Sequence, residues 1–151
     1  MKLEPLMTMY ADLKDSVEVG EGPSGNRIIF DVTGGHFEGE KLKGKILASG
    51  ADWIIMDSDG VGHLDVRITL QTDDGANIYV QYYGVLVFNE KISESQAGTR
   101  QAEFGDTYFV TQPRFETGDE RYKWLNRTMA VAEGRPLKNA VEYQVYEVTN
   151  G

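Results

Sequence analysis

The chain has 151 residues, no cysteine and a formal net charge of −9. This length predicts one domain, able to bury a core without staples. The missing cysteines exclude disulfides, thiolate metal sites and a cysteine nucleophile, and the acidic balance sets the chain against nucleic acid and anionic membrane surfaces.

The N-terminus reads MKLEPLMTMYADL. Glu4, Pro5 and Asp12 interrupt its apolar residues and no small-residue cleavage site follows, so it is not read as a signal peptide. No run approaches the roughly 20 apolar residues of a spanning helix. With no cysteine and no export signal, a cytoplasmic protein is expected, with no membrane and no nucleic-acid partner.

Seventeen glycines, four prolines and short runs of tyrosine, valine and isoleucine form a strand-and-turn pattern. Strands are predicted near 5–12, 15–20, 27–33, 37–47, 52–57, 62–71, 76–88, 105–112, 127–133 and 141–148. The predicted fold is all-β: a single antiparallel β-barrel of about eight to ten short strands over 1–151, since closure disposes of exposed edges. Gly34-Gly35 predicts a turn before His36. Residues 89–103 (NEKISESQAGTRQAE) lack alternation and read as a long loop holding a helical turn. Residues 117–126 carry a capping signature: Thr117 or Asp119 caps a short helix near 118–125, with Tyr122 and Leu125 on one face.

The stretch 62–88 fixes its own register. His63, Asp65, Arg67 and Thr69 alternate with Leu64, Val66, Ile68 and Leu70. A three-residue loop of Asp73, Asp74 and Gly75, with Gly75 left-handed, keeps the two faces apart. It pairs Thr69 with Tyr79, Arg67 with Gln81, Asp65 with Tyr83, Leu70 with Ile78, Ile68 with Val80 and Val66 with Tyr82. A two-residue loop on Asp74 and Gly75 would mix the faces. The polar face either coats the barrel, as antiparallel sheets commonly do, or lines a polar lumen, which its tyrosines suit.

Three words in combination resemble the family of domain of unknown function 3237: Gly-Ala-Asp-Trp at 50–53, Leu-Asp-Val-Arg at 64–67 with Asp-Asp-Gly-Ala at 73–76, and Arg-Tyr-x-Trp-Leu-Asn at 121–126. The resemblance covers about Leu6 to Val148. It implies a lipocalin-style antiparallel barrel that associates into small homo-oligomers, and it assigns no chemistry. It marks Asp52, Trp53, Asp65, Arg67, Glu116, Tyr122, Trp124 and Asn126 as motif positions.

Asp65 and Arg67 share one strand face about 7 Å apart. Arg67 can fork onto a carboxylate or enolate while Asp65 acts as base; the structural alternative is a salt bridge. Asp52, beside Trp53, suits general-acid work if desolvation raises its pKa; the alternative is an aspartate bonded to the turn and a core tryptophan. The candidate catalytic residues are therefore Asp52, Asp65 and Arg67. Candidate substrate-binding residues are Trp53, His63, Tyr83, Arg114, Glu116, Tyr122, Trp124 and Asn126. The 89–103 and 117–126 segments are candidate lids, the second alternatively a plug. His36 and His63 have no metal-ligand spacing, so no metal site is expected. No phosphate loop, dinucleotide fingerprint or nucleophile elbow occurs, so no cofactor is expected. Two functions fit: a cofactor-free acid/base enzyme (isomerase, lyase or hydratase) on a small organic acid, ketone or phenolic compound, or a non-catalytic small-molecule binder. A filled structural barrel is the third alternative.

Overall fold

Alternation at 62–88 builds the predicted hairpin. In the computed structural model, which describes all 151 residues, β6 (Val61–Thr72) and β7 (Asn77–Val87) pair antiparallel. Thr69 faces Tyr79, Arg67 faces Gln81, Asp65 faces Tyr83 and Val66 faces Tyr82, as the three-residue loop requires. Gly75 takes the left-handed φ of 91°. The Thr72 N–H closes the loop onto the Ala76 carbonyl at 2.8 Å. Leu64, Val66, Ile68, Leu70, Ile78, Val80 and Tyr82 are all buried, so the apolar face turns inward.

The other strands are β1 (Lys2–Leu13), β2 (Val17–Gly22), β3 (Gly25–Glu38), β4 (Lys43–Ile46), β5 (Ala51–Met56), β8 (Phe109–Glu116), β9 (Ala130–Leu137) and β10 (Ala140–Thr149). The sheet runs β1-β10-β9-β8-β7-β6-β4-β3-β2, and β5 also lies between β3 and β6. Because β1 also pairs with β3, the sheet closes on itself. The result is an eight-strand antiparallel barrel with two extra strands: β4 and β5 share one place in the ring, and β2 flanks β3. A ring of eight leaves an interior that side chains fill or that holds one small ligand.

Several elements differ from the sequence reading: the strand predicted over 37–47 is interrupted at 39–42, and the one predicted over 127–133 runs Ala130–Leu137, because the short helix extends to Arg127. Gly34-Gly35 does not end a strand; β3 runs straight through it. A Cβ on Gly35 would collide with the Tyr10 carbonyl, so the glycine admits β1 at close approach while β3 changes partner from β2 to β1. Strand β8 starts four residues later than predicted and contains Pro113. β8 pairs with β9 only at Val110 and Thr111, so the missing N–H of Pro113 falls beyond that ladder. Residues 89–103 contain a full helix, α1 (Glu90–Ala97), whose Asn89 side chain accepts from the Ile92 N–H and whose C-cap is Gly98.

The predicted short helix is a 3-10 helix, Glu120–Arg127, capped by Asp119. Tyr122 and Leu125 are buried, as their i, i+3 spacing demands. This helix closes the barrel end that carries the 73–75 loop. The opposite end is rimmed by residues 14–16, the β9–β10 turn and α1. No helix is long and apolar enough to cross a membrane.

Candidate functional site

The barrel interior is not filled at its α1 end. A cavity of about 290 Å³ lies there, walled by Phe30, Phe88, Phe109 and aliphatic side chains, with Lys14, Asp15, Ser16, Gln96 and Asn139 among the residues that line it. That volume is at the lower limit of small-molecule pockets. Two carboxylates line it: Asp15 at the rim, and Asp52 inside the barrel wall.

Local sequence explains its position. In β5, Asp52 pairs with Phe30 of β3 and with Val66 of β6, both inward-facing cavity residues. Alternation sends Asp52 and Ile54 inside and Trp53 and Ile55 outside. Asp52 is half-buried because the cavity touches it. Its one hydrogen bond is from the Asp65 backbone N–H to Oδ1, at 3.2 Å. Burial pushes its pKa up to about 7; that N–H bond holds it down in part, and the charge of Asp65 adds to the rise. The carboxyl therefore exchanges protons at neutral pH.

Two tyrosines share this space. Tyr82 and Tyr143 line the cavity and meet edge to face, with ring centroids 5.3 Å apart. Burial raises the pKa of both phenols well above the ordinary range. Tyr143 feels the neighbouring Tyr82 next, and Asp52 adds to the rise in each. Both stay protonated near neutrality, so each hydroxyl keeps a proton that it can donate. Sequence reasoning put Tyr82 on the apolar face opposite Val66 without assigning it a role. Its signal was there: a polar-tipped aromatic on a face destined for the lumen. Tyr143, in the alternating run VEYQVYEV, carried the same signal.

The remaining candidates do not converge on Asp52. Asp65 and Arg67 stand on the outer face of β6. The salt bridge that was the structural alternative does not form between them. Arg67 is exposed and lies over the outward Trp53 ring at 5.8 Å. Asp65 is half-buried, and its Oδ1 has no hydrogen-bond partner. The reason is the pleat: Val66 and Asp52 face inward, so their odd-numbered neighbours face out. Asp65 reaches the site only through its main chain.

His63 is exposed and pairs with Asp57 at 2.9 Å. The same imidazole holds the Asp57 carboxyl below its usual range. Tyr83 is 60% exposed on β7. Arg114 and Glu116 stand outward on β8, opposite Gln81 and Tyr79.

The 121–126 motif serves the closed end. The Tyr122 hydroxyl donates to the Asp74 carboxylate at 2.9 Å, and Arg121 forks onto Asp119. Trp124 is half-buried beneath Lys41. Asn126 brackets Thr117, accepting its N–H at 2.8 Å and donating to its carbonyl at 2.9 Å. Of the two candidate lids, 117–126 is the plug, and α1 with its following loop lies beside the open end. Ser95 of α1 fixes it there, donating to the Pro136 carbonyl at 2.6 Å and accepting from the Ala102 N–H at 3.0 Å. No group of three or more metal-ligating side chains comes together.

The family model of a protein of unknown function (DUF3237) matches residues 1–148. The chain belongs to this family. It is 30% identical over 143 residues to a UPF0311 protein of Rhodopseudomonas palustris, covering 95% of this chain and 94% of the relative. A β-barrel-like protein from Acinetobacter baumannii superposes with a TM-score of 0.83 at 38% identity, over 98% of this chain and 96% of that one. The crystal structure of a conserved protein of unknown function from R. palustris gives a TM-score of 0.89 at 30% identity, over 99% of both chains. A protein from Penicillium herquei described as an enzyme shares the fold, with a TM-score of 0.71 at 21% identity over 98% of this chain and 94% of that one. These relatives place the chain in a family of barrels without assigning it a reaction.

Proposed function

We propose that this barrel is a cofactor-free acid/base enzyme whose reaction takes place in the lumen, with Asp52 carrying the proton. The observation that carries the reading is a carboxyl set among the mostly apolar walls of a cavity, beside two neutral phenols, where burial pushes its pKa up to about 7. A buried structural aspartate is normally satisfied by several donors. Asp52 has one, which leaves its remaining acceptor capacity to a bound molecule.

The step is proton abstraction next to a carbonyl. The ionised Asp52 takes a proton from the α-carbon, and the C–H electron pair becomes the enolate double bond. Tyr82 and Tyr143 donate to the developing oxyanion. Protonated Asp52 then returns the proton to the same or a conjugated carbon. Asp52 and the tyrosines thus replace the set of Asp52, Asp65 and Arg67 expected from sequence, because Arg67 is on the other side of the barrel wall. That a protein of the same fold from P. herquei is described as an enzyme is compatible with this reading.

Deuterium exchange tests it. The protein is mixed with 2-tetralone in heavy water, and loss of the α-proton signal is followed by NMR. Exchange above the buffer rate is expected, with Asp52→Asn lowering it by roughly 100-fold or more. If the wild-type protein binds the ketone and adds nothing to the buffer rate, the barrel is a binder and not this enzyme.

A further inference from the structure

Resting on that reading of the lumen, we infer that the site takes a neutral, flat, mostly apolar molecule that enters with a carbonyl or phenolic oxygen first, and that it rejects carboxylates. The argument comes from what the wall lacks. Among the 22 residues lining the cavity the one cation is Lys14, which follows the last residue of β1 and has Asp15 directly beside it. Arg67, the residue that sequence reading offered for a carboxylate, points away from the cavity. Deep in the lumen the titratable groups are Asp52, Tyr82 and Tyr143, and none is positive. A carboxylate reaching that layer meets ionised Asp52 with nothing to neutralise either charge. Protonating Asp52 relieves that repulsion, and at pH 9, two pH units above its pKa of about 7, doing so weakens binding by on the order of 100-fold.

The same layer suits a neutral oxygen. Two buried phenol donors face a carbonyl or a phenol oxygen, and protonated or ionised Asp52 completes the set. Phe30, Phe88 and Phe109 provide aromatic walls for a planar body. A volume of about 290 Å³ is roughly that of ten water molecules at ~30 Å³ each, which fits a bicyclic ring system and little more. Of the classes open from sequence, this removes the small organic acids and keeps the ketones and phenols.

Isothermal titration calorimetry of the full chain at pH 9 separates these classes. The probes are 2-naphthol, 2-tetralone, naphthalene and 2-naphthoate, which share a skeleton and differ in the oxygen function. Naphthol and tetralone should bind with one site each, and naphthoate on the order of 100-fold more weakly. Asp52→Asn should narrow the naphthol-to-naphthoate ratio to less than about ten-fold. Tyr143→Phe should weaken naphthol roughly five-fold and leave naphthalene unchanged. Because Tyr143 is buried, circular dichroism checks that this variant folds; if it does not, the Asp52→Asn ratio alone decides. Naphthoate binding as tightly as naphthol would overturn the inference, as would a ratio unmoved in Asp52→Asn, or no binding of any neutral probe at millimolar concentration. Failure of α-proton exchange with this binding pattern intact would overturn the enzyme reading alone.

Discussion

Asp52 illustrates how one residue takes its chemistry from its position. In an unfolded chain its carboxyl titrates near 3.8; in the barrel it titrates near 7. The folded protein therefore holds this proton more tightly than the unfolded one. Between about pH 4 and pH 7 stability falls as pH rises, and above pH 7 the full penalty is present. Asp52→Asn removes the ionisation. Its stability should equal that of wild type near pH 4 and exceed it by roughly 2–4 kcal/mol at pH 8.5, as read by urea melts at the two pH values. Wild-type exchange activity should rise with an apparent pKa near 7, since the ionised form is the base. The Gly-Ala-Asp-Trp word singled out Asp52 in the sequence. It did not say which way the side chain points, because alternation sorts residues into two faces and leaves the faces unlabelled.

At the scale of elements, local chemistry read well where it was self-contained. The β6–β7 hairpin carries its own turn residues and both faces, so its register followed from residues 62–88 alone. The short helix carries its cap, Asp119, and its buried pair, Tyr122 and Leu125. Leu125 is fully buried in the plug, and Leu125→Ala should cost about 2–5 kcal/mol in chemical denaturation. Elements that depend on distant partners read less well. Nothing near Gly35 in the sequence announces that Tyr10 passes within contact distance. Gly35→Ala combines that collision with a φ of 138°. It should destabilise the barrel by on the order of 3 kcal/mol or more, seen as a large drop in Tm. Ser95 looked like one polar residue in a polar loop, yet it is buried and ties α1 to Pro136. Ser95→Ala should cost about 1–3 kcal/mol and raise hydrogen exchange in residues 90–103, because the Ala102 N–H loses its acceptor.

At the scale of the molecule, the decisive event is closure. β1 pairs with β10 on one edge and with β3 on the other, so the first and last strands are neighbours. These pairings join distant parts of the chain, and refolding should be slow for the chain length, in the millisecond-to-second range by stopped-flow fluorescence. Closure also assigns inside and outside. It sends His63, Asp65, Arg67, Tyr83, Arg114 and Glu116 to the outer surface and gathers Asp52, Tyr82 and Tyr143 from three strands. The sequence by itself determined the strand pattern, the 62–88 register, the capped helix and the family, because each rests on contacts between near neighbours or on words read whole. Which face of each strand became the lumen, and therefore which carboxylate acquired a shifted pKa, was decided by tertiary structure. Burial is a property of the closed ring, and no segment of the chain contains it.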